Sequence, residues 1–302
     1  MRRRRDSVSP LFAVGCGGSE KMYTISMKSR MCVILIGLAF LSTALYAQAN
    51  NKRTKVSMKE VRIQNGENTI YGRAFFPQDE AKHPVLIFSH GFNGSHRDFF
   101  DDCRFFAQHG YIAYCYDFCG GSTNSLSTGK TADMTLFTEK SDLLAVIRHV
   151  EALETADPSR IYLLGGSQGG LVSALVAEEV PQKIRAMALY FPAFCIPDDW
   201  RKTYPNDTLV PESVHFWGMT LGKDFFTSAI HLNVNEATGA YNGNVLIIHG
   251  DSDDIVPVRY SEEAQRRYEH ATLTVLQGER HGFSPAAATQ ARAMVLAFTE
   301  AN

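Results

Sequence analysis

Short apolar runs alternate with amphipathic segments along most of this chain, and this alternation constrains its fold more than any other feature. Near-continuous apolar runs of four or five residues are typical of strands buried on both faces of a parallel sheet. Strands that alternate with helices predict an α/β fold with a mostly parallel, doubly wound sheet. The apolar runs lie at 85–88, 112–116, 161–164, 187–190, 245–248 and 273–276, and the helical patterns at 95–108, 134–154, 168–179, 258–269 and 285–300.

Two segments depart from this alternation. Residues 57–63 and 69–75 flank Asn65-Gly66, a turn dipeptide, and predict a hairpin before the first parallel strand. Residues 192–243 are rich in proline, aromatic and polar residues and fit no strand-helix unit. They predict a small inserted cap rather than an independent domain.

The beginning of the chain has the pattern of an export signal. Lys28 and Arg30 precede the apolar run 31–47, and Ala47-Gln48-Ala49 follows it as a small-x-small cleavage site. We therefore expect a signal peptide at 27–49, an upstream extension at 1–26, and a mature domain at 50–302 that is periplasmic or secreted. The alternative is an uncleaved membrane anchor, although the run is shorter than the ~20 apolar residues of a spanning helix.

Removing that leader changes the charge balance. The chain has 30 basic and 32 acidic residues and a net charge of −2, whereas residues 50–302 keep 23 basic and 30 acidic residues, a net of −7. An acidic domain disfavours nucleic acid as a partner. Four cysteines remain after cleavage, and their spacing matches neither a disulfide scaffold nor a CxxC metal site. We expect no structural disulfide among Cys103, Cys115, Cys119 and Cys195.

A glycine-rich turn directly after the 161–164 run points to nucleophilic catalysis. The sequence Gly165-Gly166-Ser167-Gln168-Gly169 is a G-x-S-x-G motif between a predicted strand and a predicted helix, the context of a nucleophile elbow. A phosphate loop would need a lysine after the glycines, and none follows. Ser167 is therefore the candidate nucleophile.

A serine nucleophile needs a histidine base and a carboxylate that orients it, and in this fold they follow the serine in the order acid, then histidine. His281 follows the apolar run at 273–276 and is the predicted base, in preference to His249 and His90, which end strands and have structural roles instead. Three carboxylates after the 245–248 run compete for the orienting role, and spacing alone does not separate them: Asp251, Asp253 and Asp254.

The oxyanion of a serine hydrolase needs two backbone N–H donors. One is expected from Gln168, which follows the nucleophile, and the other from Phe92 in the loop after the 85–88 run, where Gly91 lets the backbone turn. The alternative interpretation of that loop is a simple connection between strand and helix.

With these residues in place, the chain resembles the α/β-hydrolase family and, within it, the small bacterial feruloyl and cinnamoyl esterases. The resemblance covers nearly all of residues 57–300. It implies an α/β-hydrolase fold, supports Phe92 and Gln168 as oxyanion donors, and selects Asp253 as the orienting acid. The motifs that carry it are HGFNGS at 90–95, YDF at 116–118, DMT at 133–135, GSQGG at 166–170, VLIIHGDSDDIVP at 245–257, YSE at 260–262 and HGFS at 281–284.

Two positions depart from the family pattern. Many relatives have histidine where this chain has Gly166, which is expected to change the packing behind the elbow but not the chemistry. Relatives also carry a polar residue and a G-x-G-x-S run where this chain has Phe118-Cys119-Gly120-Gly121, so a differently shaped loop is expected there.

The resemblance implies a serine esterase that needs no metal or cofactor, with a small-molecule or polysaccharide-linked ester as its substrate. Its cap would cover the acyl group, and aromatic side chains there, among them Phe194, Trp200 and Trp217, suit a planar hydroxycinnamoyl group unless they only pack the cap. The alternatives are a serine aminopeptidase or prolyl peptidase, with Asp198, Asp199 or Glu212 holding the substrate amine, and a non-catalytic binding protein.

Overall fold

The computed structural model describes residues 54–302. Ten strands lie in this part of the chain: β1 (Val56–Asn65), β2 (Asn68–Pro77), β3 (His83–Ser89), β4 (Ile112–Tyr116), β5 (Ala156–Gly166), β6 (Ala186–Tyr190), β7 (Ser213–Phe216), β8 (Met219–Gly222), β9 (Asn244–Gly250) and β10 (Ala271–Leu276). Eight of them form one sheet in the order β1-β2-β4-β3-β5-β6-β9-β10.

Six strands of that sheet, β4, β3, β5, β6, β9 and β10, are parallel to one another. β1 and β2 form an antiparallel hairpin at one edge, and β2 pairs antiparallel with β4. Every residue of β4 and β6 is buried, as expected for strands covered on both faces. In the hairpin, Gly66 has φ +59° and is the first of two loop residues, a position where glycine is favoured.

Helices cover both faces of the sheet. The α-helices are α1 (Phe100–Gln108), α2 (Leu136–Glu151), α3 (Gln168–Glu179), α4 (Ile196–Thr203), α5 (Lys223–His231), α6 (Val234–Ala237), α7 (Arg259–Arg267) and α8 (Pro285–Glu300). Val85 and Ile87 of β3 pack in the core that includes residues of α2, α3 and α7, whereas Leu86 and Phe88 pack in the core that includes residues of α1 and α8. Successive side chains of a strand point to opposite faces of the sheet, so one strand contributes side chains to both cores. The predicted doubly wound sheet is confirmed.

Residues between β6 and β9 form the cap. β7 and β8 pair only with each other, so no strand of the cap joins the main sheet. The cap has a small core of its own, which includes Met219, Leu221, Phe225 and Phe226. The sequence predicted this insertion but not its hairpin and three helices.

The expectations for export and for the cysteines can be compared with residues 54–302 only in part. Within residues 54–302, no helix combines the length and apolar character needed to cross a membrane. The expected upstream extension at 1–26, signal peptide at 27–49 and cleavage near Ala49 lie outside the described residues. The four cysteines at 103, 115, 119 and 195 are free and buried.

Candidate active site

The turn between β5 and α3 holds Ser167 in a backbone conformation that side chains rarely adopt, with φ +53° and ψ −120°. This strain persists because the flanking glycines let strand and helix approach closely. A Cβ at Gly165 would lie 2.2 Å from the Gly169 carbonyl oxygen, and one at Gly169 would lie 2.3 Å from the Ser89 carbonyl oxygen. No side chain fits at either position, so the motif is a steric requirement of the turn.

Three side chains from three loops meet at this turn in a hydrogen-bonded chain. The Ser167 hydroxyl lies 3.0 Å from His281 Nε2, and His281 Nδ1 lies 2.7 Å from Asp253 Oδ2. A carboxylate can only accept, so Nδ1 carries the ring proton and Nε2 is free to accept the hydroxyl proton of Ser167. The structure thus brings the predicted nucleophile, base and acid together in the order required for proton transfer.

Asp253 is held by more than its histidine partner. Its Oδ1 accepts the backbone N–H groups of Ile255 and Val256 at 2.9 and 2.8 Å, and His249 Nε2 lies 3.2 Å from its Oδ2. Burial opposes ionisation of this carboxyl, but hydrogen bonds from His249, His281 and the two backbone groups outweigh it and hold its pKa well below the ordinary value. Asp253 is therefore a fixed anion beneath His281.

The two rival carboxylates point elsewhere. Asp251 accepts the Gly278 N–H at 2.7 Å, and Asp254 forms an exposed ion pair with Arg280. The rival histidine His249 is fully buried, with its Nδ1 2.7 Å from the Ser261 hydroxyl, and it supports Asp253 rather than replacing His281. Tertiary packing separates candidates that the sequence spacing left equal.

The two predicted oxyanion donors lie on either side of Ser167. Gln168 is the first residue of α3, where backbone N–H groups have no partner within the helix and the helix dipole favours negative charge. Gly91 brings the other loop so close that a Cβ there would lie 3.1 Å from Ser167 Cβ. Within residues 54–302, neither the Phe92 N–H nor the Gln168 N–H donates to a protein acceptor, so both are free for a substrate oxygen.

A buried histidine fixes the loop that carries Phe92. His90 Nε2 accepts the Phe118 N–H at 3.0 Å, so its proton lies on Nδ1, which donates to the Gly91 carbonyl at 2.7 Å. Burial lowers the pKa of His90, which keeps the ring neutral in this bridge. The departure from the family pattern at residues 118–121 therefore does not remove the hydrogen bonds that hold the loop carrying Phe92.

Sequence reasoning missed a buried acid behind Gln168. Glu139 of α2 is 1% exposed, and its Oε2 accepts the Gln168 side-chain amide at 2.8 Å. Burial raises the pKa of Glu139 to about 8, the hydrogen bond from Gln168 opposes the rise, and the nearby Asp142 adds to it. At neutral pH the acid is therefore mostly uncharged. Its only sequence signal was a polar residue on the predicted helix at 134–154.

The buried acid gives a prediction for stability. Between the ordinary pKa of 4.5 and about 8, folded Glu139 holds a proton that the unfolded chain has lost, so the free energy of unfolding falls as pH rises. The Glu139→Gln variant removes this titration and is expected to flatten the profile by on the order of 1 kcal/mol per pH unit. Urea unfolding at pH 5, 6 and 7 measures the slope, with the exposed Glu262→Gln as control. Equal slopes in wild type and Glu139→Gln would contradict the prediction.

Two clefts meet at Ser167. The cap cleft, of about 340 Å³, lies beneath the cap and includes Gln168 and Trp200, whereas the His281 cleft, of about 350 Å³, includes His281 and Phe283. Ser167, Phe92 and Trp217 line both. Two clefts that share a nucleophile can hold the two halves of a substrate on either side of the bond that breaks.

Two of the three predicted cap residues line the cap cleft. Trp200 lies in its wall, and Trp217, 57% exposed at the tip of the β7–β8 hairpin, stacks on Phe216 with ring centroids 4.8 Å apart. Phe194 lies elsewhere. It is buried in the main core with the Arg267 guanidinium 5.5 Å from its ring centre, because the chain is still beside α7 as it leaves β6. The prediction of an acyl-contacting Phe194 is therefore not supported by its position.

The three acids suggested for holding a substrate amine do not all lie at the cap cleft. Asp198 pairs with Arg201 and accepts the Tyr260 hydroxyl at 2.9 Å, and Glu212 is exposed beside Lys223. Of these three acids only Asp199 lines the cap cleft, which Asp254 also lines. No group of three or more His, Cys, Asp or Glu among residues 54–302 is placed to hold a metal ion.

Comparison with known proteins agrees with this architecture. The model of the prolyl oligopeptidase family matches residues 97–302. The solved structure of Est1E from Butyrivibrio proteoclasticus with ferulic acid bound is 26% identical with a TM-score of 0.70, covering 80% of this chain and 100% of that one. Alpha/beta hydrolase domain-containing protein 10 from mouse is 17% identical with a TM-score of 0.65, covering 80% and 98%, and supports the fold alone. No curated protein sequence matches the chain.

The predicted resemblance is confirmed at the level of fold and family. The family match spans the elbow, the cap and the loops that carry Asp253 and His281, and Est1E aligns over its whole length. The chain belongs to the prolyl oligopeptidase family and is a hydrolase with the α/β-hydrolase fold.

Proposed function

We propose that the protein is an exported serine carboxylic-ester hydrolase that forms an acyl-enzyme at Ser167. One observation carries the proposal: the hydrogen-bonded chain Ser167, His281, Asp253 opens into an apolar cleft beside two free backbone N–H groups. This arrangement supplies a nucleophile, a base with the correct tautomer and a site for the oxyanion.

The reaction proceeds in two halves. Ser167 Oγ attacks the ester carbonyl carbon while His281 Nε2 takes its proton, and the Phe92 and Gln168 N–H groups stabilise the oxyanion. The bond to the alcohol oxygen then breaks as His281 returns the proton to that oxygen. Water repeats the sequence on the acyl-enzyme, with His281 again as base, and releases the acid. Asp253 stays ionised throughout and stabilises the imidazolium.

The cap cleft favours an aromatic or a short acyl group. Phe92, Trp200, Phe216, Trp217 and Phe225 give it apolar, planar walls, which suit a hydroxycinnamoyl ring by burial and edge-to-face contact. The similar protein Est1E has been solved with ferulic acid bound, which supports an acid of this class.

The acyl preference gives a matched test. Trp217→Ala removes an exposed ring that lines both clefts, so the test compares two esters of the same alcohol. The variant is expected to lower kcat/KM for methyl ferulate by about tenfold relative to methyl acetate, the value of one aromatic contact. Leu209→Ala, which truncates an equally exposed apolar side chain of the cap outside both clefts, is expected to leave the ratio unchanged. The same ratio in Trp217→Ala and wild type would argue against aromatic recognition at this wall.

Export is the part of the proposal that rests on sequence alone. The basic residues before the apolar run at 31–47 and the Ala-Gln-Ala site support it. Mass spectrometry of protein recovered outside the cytoplasm is expected to find Asn50 at the amino terminus. Recovery only of full-length protein in the membrane fraction would indicate an anchor instead.

A second candidate is a peptidase on the same machinery. The carboxylate of Asp199 in the cap cleft favours it, because a free substrate amine needs an acidic partner there. Parallel assays of methyl ferulate, p-nitrophenyl acetate and an aminoacyl anilide separate the two. Ester turnover without anilide turnover is expected, and turnover of the anilide alone would replace the esterase proposal.

A further inference from the structure

A buried pair of side chains joins two helices directly behind the oxyanion donor of α3. The backbone N–H of Gln168 is the donor that follows Ser167, and the side-chain amide of the same residue donates to Glu139 Oε2 of α2 at 2.8 Å. Both side chains are 1% exposed. On α3 itself no titratable side chain occurs before Glu178, at the other end of the helix. The first turn of α3 is therefore tied to the state of Glu139.

Two oxygens of this pair lack hydrogen-bond partners. Neither Glu139 Oε1 nor Gln168 Oε1 has a donor within residues 54–302, although both atoms are buried. Unpartnered buried polar atoms are rare and indicate a missing group. A proton on the carboxyl is such a group, because it turns an acceptor of Glu139 into a donor, and Gln168 Oε1 is an acceptor left free on the residue that Glu139 already contacts. The neutral acid complements the amide, whereas the carboxylate leaves two acceptors unsatisfied.

The surroundings of Glu139 also oppose its ionisation. No lysine, arginine or histidine among residues 54–302 forms an ion pair with it, and the titratable groups that face it are Asp142, about one turn along α2, and Tyr116 of β4. Burial raises the pKa of the Tyr116 hydroxyl and of the nearby Cys119 thiol, so both stay neutral. Asp142 has a donor on each oxygen, Asn65 Nδ2 at 2.8 Å and the Cys119 N–H at 2.7 Å. These donors favour a negative charge on Asp142, and a second charge on Glu139 is then opposed by the first.

We propose that Glu139 is a positioning residue of the oxyanion site: its neutral form holds Gln168 in an acid–amide pair, and loss of its proton weakens oxyanion stabilisation by the Gln168 N–H. This inference rests on the proposed ester hydrolysis at Ser167 and extends it to the control of that site by pH. Ionisation has two effects. It removes the hydrogen bond that the acid donates, and it places a buried negative charge behind the oxyanion that develops in the reaction.

The pair therefore predicts a loss of activity at alkaline pH. In a serine hydrolase kcat rises as the histidine base loses its proton and then stays constant. Burial raises the pKa of Glu139 to about 8, so above that pH the folded protein carries the anion. Both halves of the reaction pass through an oxyanion, so kcat is expected to fall by about tenfold between pH 7.5 and 9.5, whichever half limits the rate.

The pH profile of kcat for p-nitrophenyl acetate tests the inference, with spontaneous hydrolysis subtracted at each pH. Glu139→Gln cannot ionise and keeps a side-chain amide for Gln168, so it is expected to retain kcat at pH 7.5 and to lose the alkaline fall. Glu139→Ala removes the partner of Gln168 at every pH and is expected to lower kcat about tenfold at pH 7.5, with a smaller change in KM. Circular dichroism at each pH verifies that the compared proteins are folded.

Two further variants distinguish positioning from a structural role. Glu151→Gln removes a carboxylate from the other end of α2 and is expected to keep the alkaline fall of the wild type. Gln168→Ala keeps the backbone N–H but removes the hydrogen bond that favours the ionised form of Glu139, so it is expected to have a lower kcat whose alkaline fall occurs at higher pH. Gln168→Ala also takes the place of Glu139→Ala if that variant does not fold.

A kcat of folded wild type that stays constant from pH 7.5 to 9.5 would overturn the inference, as would an equal alkaline fall in wild type and Glu139→Gln. Wild-type kcat at pH 7.5 in both Glu139→Ala and Gln168→Ala would do so as well. Failure of the proposed function gives a different result, because no p-nitrophenol would then be released above the spontaneous rate at any pH.

Discussion

The Ser167→Ala variant is expected to lose ester turnover by roughly 10⁵-fold or more in kcat, measured with p-nitrophenyl acetate. The reason is chemical, because Ser167 Oγ lies 3.0 Å from His281 Nε2 and no other hydroxyl of residues 54–302 forms a hydrogen bond with that nitrogen. Residual hydrolysis would come from the oxyanion donors and binding alone, which in triad enzymes still leave some rate above that in water.

The same variant is expected to fold like the wild type. The turn is held by backbone hydrogen bonds from Ser167 N–H to the Tyr190 carbonyl and from Ala193 N–H to the Ser167 carbonyl, each 2.9 Å long. Alanine keeps both and has the same φ as serine at similar cost. The melting midpoint by circular dichroism is therefore expected to match that of the wild type.

Ser252→Ala is the matched control, because it removes an exposed hydroxyl from the loop next to Asp253 without touching the hydrogen-bonded chain. It is expected to keep full activity. Retention of more than about one per cent of kcat by Ser167→Ala would exclude the acyl-enzyme mechanism and favour the non-catalytic alternative or another nucleophile.

The fold was predictable from sequence because its strands are buried on both faces and so read as apolar runs. β3, β4, β6 and β9 are nearly or wholly buried, and the runs predicted each of them to within a few residues. The cap was less predictable. β7 has no buried residue, and it pairs with β8 alone, so neither strand has the pattern of a covered sheet.

The candidate site was predictable where local sterics dictate sequence. The glycines at 165 and 169 are required by contacts with backbone atoms, and that requirement is visible as a motif. The choice among the three aspartates was not predictable in this way, because it depends on which carboxylate the loop after β9 places beside His281. Asp253 is selected by the Ile255 and Val256 N–H groups, which no spacing rule contains.

Residues that support the site from other elements were beyond sequence reasoning. Glu139 contacts Gln168 across 29 positions of sequence, and Phe191 contacts Phe283, although the two lie far apart in the sequence. Such contacts are set by packing between layers and leave no periodic signal. Phe194 illustrates the converse, since an aromatic residue at the start of a predicted cap packs in the core.

Asp253→Asn is expected to lower kcat by about 10⁴-fold while leaving substrate binding nearly intact. The local hydrogen bonds fix how the asparagine sits. The Ile255 and Val256 N–H groups require an acceptor at the Oδ1 position, so the amide oxygen stays there and the NH₂ group faces His281 and His249. His281 Nδ1 must then accept, its proton moves to Nε2, and Nε2 can no longer take the proton of Ser167.

The comparison with the neighbouring aspartates is the decisive control. Asp254 lines the cap cleft, and Asp254→Asn breaks its exposed ion pair with Arg280 without touching the hydrogen-bonded chain of Ser167, His281 and Asp253. Asp251→Asn weakens a turn at Gly278, and both variants are expected to retain kcat within severalfold. A loss of activity in Asp254→Asn comparable to that in Asp253→Asn would contradict the assignment of the orienting acid.

The lowered pKa of Asp253 also predicts how the stability of the Asp253→Asn variant, relative to wild type, depends on pH. Its pKa is depressed in the folded state, so its ionised form stabilises the fold at pH values above the ordinary 3.8, and that contribution is lost as pH falls toward the depressed value. The asparagine cannot ionise and places its NH₂ group against the His249 donor. The variant is therefore expected to be less stable than wild type at pH 7, and the difference is expected to narrow near pH 3, as measured by urea unfolding. If the difference in free energy of unfolding stayed constant or grew in acid, the ionised form of Asp253 would not stabilise the fold. The electrostatic account of the site would then fail even if the variant were inactive.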